Sequence, residues 1–144
     1  MERVAIPPYE REVQYYETDQ MQIVHHSNYI RWFEETRLHA MKIMGVPYDL
    51  LEEKGIIIPV LSASAVYRMA FRFGDVFSVR MKIVKFNGLK MEVVYEVYHK
   101  NTGILYTTGE TSHAFLDRNM KPLRLKKEFP EIYEIFKNAV EEVD

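Results

Sequence analysis

Residues Tyr15 to Tyr29 read Tyr-Tyr-Glu-Thr-Asp-Gln-Met-Gln-Ile-Val-His-His-Ser-Asn-Tyr, and they hold most of the chemistry visible in this chain. A carboxylate, Asp19, ends an apolar-flanked strand, and His25 and His26 follow shortly after it. Ser27 and Asn28 are residue types that open helices. This order can bring a basic or nucleophilic oxygen up to the free backbone N–H groups of a helix start. Those are the parts needed to split an activated acyl group.

The elements that must position these residues follow from periodicity. A strand is predicted over about 11–16, rich in Val and Tyr, with an irregular segment from Asp19 to Ser27. Tyr29, Phe33, Thr36, Ala40, Ile43 and Met44 then fall on one stripe at helical spacing. Arg31, Glu34, Glu35, Leu38 and Lys42 lie opposite, while Gly45 and Pro47 stop the helix. A short helix over 48–54 leads to a run of strands from Ile56 to about Leu116. Phe77, Val79, Met81 and Ile83 alternate with polar residues, as do Leu89, Met91, Val93, Tyr95 and Val97.

Cross-strand partners share a face, so the hairpin at Asn87-Gly88 must keep odd positions opposite odd ones. A three-residue loop, Phe86-Asn87-Gly88, does so with Gly88 left-handed. It sets Ile83 opposite Met91, Met81 opposite Val93 and Val79 opposite Tyr95. A second turn, Asn101-Thr102-Gly103, precedes a strand over 104–116, and a helix over 130–142 closes the chain. One helix stripe on one apolar sheet face gives a two-layer α+β domain over residues 1–144. The sheet's second face carries Val94 and Tyr98, with small residues at Ser62-Ala63-Ser64-Ala65 and Thr107-Thr108-Gly109. Such strands fit a homodimer.

Composition excludes several classes. The 144 residues are 47% apolar and 28% charged, as expected of an ordinary globular domain. A formal net charge of −2 gives no reason to expect nucleic acid as a partner. With no cysteine there is no disulfide, thiolate zinc site or cysteine nucleophile, and a cytoplasmic location is expected. The first residues, Met1-Glu2-Arg3-Val4-Ala5-Ile6-Pro7-Pro8, contain no secretory apolar core. No uncharged apolar run approaches the roughly 20 residues of a membrane helix.

Taken alone, each site residue also has a structural reading. Aspartates cap turns after strands, and serines cap helices. His25 and His26 are adjacent, so their side chains do not converge on one metal ion, and no metal is expected. Ser27 with His26 and Asp19 offers the residue types of a triad, but neighbouring side chains at a helix start diverge. Glu34 and Glu35 sit on the helix's polar flank and are read as solvated, the alternative being that one reaches the site or pairs with Arg37. Arg68, Arg72, Lys82, Lys85 and Lys90 are candidate phosphate contacts, none of them distinguished from ordinary surface charge.

Three motifs together resemble the hotdog-fold acyl-CoA thioesterases of the 4-hydroxybenzoyl-CoA thioesterase type. They are Tyr15-x-Glu17-Thr18-Asp19, Ile23-Val24-His25-His26-Ser27-Asn28-Tyr29, and Arg31-Trp32-Phe33-Glu34-Glu35-x-Arg37. The resemblance covers about residues 9 to 125 and is most specific from Asp19 to Arg37. It implies an antiparallel sheet wrapped around one long central helix. It also implies a homodimer or homotetramer with its active site at the dimer interface. The family's catalytic aspartate falls on Asp19. Its backbone donor at the central helix start falls near His26, with Ser27 beside it as a candidate for positioning the acyl group. Coenzyme A is then part of the substrate and no separate cofactor is implied. Gln22 stands where many relatives have glycine, which predicts a loop less free to take unusual dihedrals.

This equipment suits thioesters. A thiol with pKa about 8.5 can leave as thiolate near neutral pH, so no strong proton donor is required. Asp19 could attack the acyl carbon or deprotonate water, and both routes stay open here. Two rival functions also stay open: a hotdog acyl-CoA or acyl-carrier-protein hydratase or dehydratase, and a non-catalytic acyl-CoA-binding protein.

Overall fold

The computed structural model describes residues 5–141, and its centre is the helix α1, Ser27–Met44. Its buried face holds the expected Tyr29, Phe33, Thr36, Ala40 and Met44, joined by Asn28, Trp32 and Met41. Gly45 ends it in the left-handed conformation at φ 89°. The strands β1 (Tyr9–Glu12), β2 (Val60–Tyr67), β3 (Val76–Phe86), β4 (Lys90–His99) and β5 (Leu105–Ala114) form one antiparallel sheet. Their order is β1-β3-β4-β5-β2, so the two edges are β1 and β2. A short helix, α2 (Tyr48–Glu53), links α1 to β2, and α3 (Leu125–Glu128) and α4 (Pro130–Ala139) follow the sheet. The α+β architecture expected from the sequence is present, with α3 an addition to it.

Helix and sheet meet through aromatic rings. Phe33 stacks on Tyr95 with centroids 4.3 Å apart, and Trp32 stacks on Phe77 at 3.9 Å. Phe33 also lies over Gly109 so closely that a Cβ there would collide with the ring. Gly109 is therefore the notch in β5 that lets α1 approach. At the far end, Ile132 and Phe136 of α4 join the core, with Phe136 against Phe86 and Phe115. The chain leaving α4 bridges to β3 at Ile83, beyond the reach of β1.

Two predictions are corrected here. The strand expected over 11–16 stops at Glu12, and Tyr15–Glu17 forms a single 3₁₀ turn. The cause is Glu17, whose buried carboxylate accepts the Gln14 amide at 2.8 Å and folds the chain inward. The β3–β4 hairpin keeps odd opposite odd along most of its length, but by another route. Ile83 faces Val93, Met81 faces Tyr95 and Val79 faces Val97, each two residues from the predicted partner. Near the turn Phe86 faces Met91, and Asn87 donates its amide to the Lys90 carbonyl. The tip is thus Gly88-Leu89, and an irregularity between Ile83 and Lys85 restores the pairing of apolar faces. Gly88 is left-handed, as expected, at φ 85°.

Candidate active site

The segment carrying Asp19 is anchored from below by a charged cluster. Arg11 on β1 grips Glu17 with two parallel hydrogen bonds of 2.9 and 2.8 Å. The same guanidinium binds Glu35 of α1 at 2.7 and 2.9 Å, and Tyr9 donates to Glu35 at 2.8 Å. Trp32 donates its indole N–H to Glu17 at 2.7 Å. Burial pushes the Glu17 carboxyl up, but Arg11, the Gln14 amide and Trp32 outweigh that and hold it below the usual carboxylate range. The backbone of Glu17 works as well: its carbonyl accepts the His25 amide at 2.9 Å and the Asn28 side chain at 3.0 Å.

Between these anchors the chain makes a tight loop. Asp19 donates its amide to the Ile23 carbonyl, and its own carbonyl accepts the Gln22 amide, both at 2.9 Å. Gln22 is left-handed at φ 65°. The loop expected to be less free to take unusual dihedrals with Gln22 takes one nonetheless, the glutamine being held left-handed by this turn at a conformational cost of about 1 kcal/mol. One carboxylate oxygen of Asp19, Oδ1, accepts the Met21 amide at 2.8 Å. No donor to Oδ2 occurs among the described residues, so half of the carboxylate is free for chemistry.

Asp19 lines a cleft of about 310 Å³ that also includes Met21, His26, Tyr29, Tyr67 and Met69. Asp19 and His26, predicted together, are brought together. The His26 amide has no acceptor among the described residues, although the amides after it do. Ser27 and Asn28 donate to His25, at its ring Nδ1 (3.2 Å) and its carbonyl (3.0 Å). Burial pushes the Tyr29 hydroxyl up to about 12, so it is protonated near neutral pH.

Ser27 departs from expectation. The helix starts one residue early, with His26 as N-cap and Ser27 already helical, so its hydroxyl caps nothing. It lies 2.9 Å from His25 Nδ1 and outside the cleft lining. His25, whose role the sequence left open, secures the helix start instead. Glu35 is partly exposed and is paired not with Arg37 but with Arg11, as part of the charged cluster. Of the cationic candidates only Arg68 lies on the cleft, and Lys85 is paired with Glu92 at 3.3 Å. Among the described residues no group of three or more His, Cys, Asp or Glu could hold a metal. The sequence reading missed Arg11, Glu17 and Trp32 as the support of the loop, because nothing in residue type marks a carboxylate as buried.

Comparisons with known proteins identify the family and the fold. Residues 13–138 match the model of the Thioesterase-like superfamily. A putative acyl-CoA thioesterase of Bacillus subtilis (strain 168) is 34% identical over 131 residues, 90% of this chain and 94% of that protein. The crystal structure of a DHNA-CoA thioesterase from Staphylococcus aureus superposes with a TM-score of 0.86 at 32% identity. That match covers 91% of this chain and 88% of the other. A Staphylococcus aureus protein solved in complex with CoA shares the fold at 16% identity, with a TM-score of 0.82 over 100% of this chain and 92% of its own. The chain therefore belongs to the Thioesterase-like superfamily and has its hotdog fold.

Proposed function

We propose that this protein hydrolyses the thioester of an acyl- or aryl-CoA to the free acid and CoA. The observation that carries this reading is that one cleft is lined both by Asp19, whose carboxylate is half-free, and by His26, whose amide at the start of α1 is unengaged among the described residues. The amide stabilises the oxyanion that forms when the acyl carbon becomes tetrahedral, a contribution on the order of 3–4 kcal/mol. The positive end of the α1 dipole adds to it. Asp19 attacks the acyl carbon or deprotonates the attacking water, and the thiolate leaves without a dedicated acid. Coenzyme A is substrate, and the scheme uses no further cofactor and no metal.

The working form is a homodimer or homotetramer in the cytoplasm. Supporting this is the contrast between the two sheet edges. β1 has four residues, is charged and follows Pro7-Pro8, whereas β2 has eight and exposes Val60, Leu61, Val66 and Tyr67. A long apolar edge of that kind asks for a partner. Tyr67 lies on the Asp19 cleft, so a partner along β2 would wall the site.

Asp19→Asn tests the chemistry directly. It keeps the Met21 hydrogen bond, so folding should be unchanged, while thiol release from acyl-CoA drops by a factor on the order of 10²–10⁴. Wild-type turnover in that variant would remove Asp19 from the mechanism.

A further inference from the structure

A second pocket, about 340 Å³, lies between α1, α2 and the start of β2, and the proposed hydrolysis does not use it. Its apolar wall includes Leu38, Met41, Val60 and Met91, and its polar groups include Arg37, His113 and Glu34. Arg37 sits roughly 15 Å along the helix from Ser27, given a rise of about 1.5 Å per residue.

Arg37 is half-buried, yet no carboxylate lies within 4.0 Å of it among the described residues, Glu34 included. Its one hydrogen bond among the described residues is from Nη1 to the Tyr95 hydroxyl at 3.0 Å. Arginine can only donate, so Tyr95 must accept there and pass its own proton to Thr111 Oγ1, 2.7 Å away. Thr111 in turn has His113 Nε2 at 2.8 Å as the remaining partner for its proton. His113 is then the neutral tautomer with its proton on Nδ1, which has no hydrogen-bond partner among the described residues. Burial first, and then the Arg37 charge, push His113 down to about 4, so it carries no charge at neutral pH. The relay is neutral throughout, and nothing in it balances the Arg37 cation. Glu34 is exposed on the rim and leaves the guanidinium's remaining N–H groups unengaged.

We infer that this pocket binds a carboxylate carried on an apolar stem, with Arg37 as its counter-charge. A half-buried cation held on one side by a neutral relay and open on the other matches a planar, bidentate acceptor. The carboxylate can come from a free acid or from the far end of an acyl group. Because the site is defined by binding, it stands or falls separately from the proposed hydrolysis.

Methionine methyl NMR on the full-length protein tests this, because Met41 and Met91 line this pocket and Met21 and Met69 line the Asp19 cleft. Octanoate should shift Met41 and Met91, at an affinity at least about tenfold above that of octan-1-ol. Arg37→Gln should abolish that preference, and Leu38→Trp, at an exposed lining position outside the Arg37 relay, should block the shifts. Equal response to acid and alcohol, shifts confined to Met21 and Met69, or octanoate preference surviving in a folded Arg37→Gln protein would each overturn the inference. Should Arg37→Gln fail to fold, the acid–alcohol comparison and Leu38→Trp decide the matter alone. Faster turnover of a thioester with a terminal carboxylate than of octanoyl-CoA, lost in Arg37→Gln, assigns the site to substrate. Equal turnover with the octanoate shifts intact assigns it to a free acid. Absence of turnover with every acyl-CoA defeats the thioesterase reading and leaves the octanoate result standing.

Discussion

His26 separates side-chain from backbone chemistry. If its contribution is the amide hydrogen, His26→Ala keeps that group and should lower acyl-CoA hydrolysis by no more than about tenfold. Near-total loss, measured alongside hydration of an enoyl-CoA, would instead point to a histidine working on a C–O bond. Glu17 is a residue of support. Its folded pKa is depressed, so its stabilisation is complete above the unfolded value of about 4.3 and is lost as pH falls through the folded value. Glu17→Gln strips Arg11 of one of its two carboxylates and should cost about 3 kcal/mol at pH 7 in urea unfolding. It should also flatten the acid limb of stability against pH. An unchanged acid limb would show that other carboxylates dominate it.

At the scale of elements, the central contact is α1 on the sheet, and Gly109 sets its closeness. Gly109→Ala places a methyl against the Phe33 ring, with the Ser64 carbonyl 3.0 Å away on another side. The expected cost is about 1–3 kcal/mol, read as a lowered Tm. Because Phe33 is stacked on Tyr95, the strain should also reach the Arg37 relay. The β3–β4 hairpin shows how a strand irregularity and a turn share one task. The alternation of apolar residues requires equal parity across the hairpin, and an odd loop or a local shift can each supply it. This chain uses the shift.

For the whole molecule, the β2 edge is where the proposed oligomer would form. Val66 is 61% exposed there, so nothing in the isolated chain opposes a charge at that position. If β2 meets a second copy, Val66→Asp should convert the oligomer to monomer in analytical ultracentrifugation. Thiol release should fall with it, since Tyr67 of the same strand lines the Asp19 cleft. A Val66→Asp protein of unchanged mass and activity would place the interface elsewhere. Among the described residues no helix is long and apolar enough to cross a membrane.

Much of this molecule is determined locally and is legible in the chain. Periodicity sets α1 and the alternating strands because burial of one face is repeated along the element. The Asp19–His26 spacing places a carboxylate and a helix start within one loop, and Gly88 marks its turn by its left-handed freedom. What the tertiary structure decided depends on contacts between distant residues. The inward turn at Glu17 needs Arg11 and Trp32, the hairpin register needs a shift invisible in residue type, and the early helix start moves the N-cap position from Ser27 to His26. Whether Glu35 meets Arg37 or Arg11, and whether Arg37 has a counter-ion, depends on which side chains the fold sets within a few ångströms. Charge pairing is fixed by distance in space, which residue order alone does not encode.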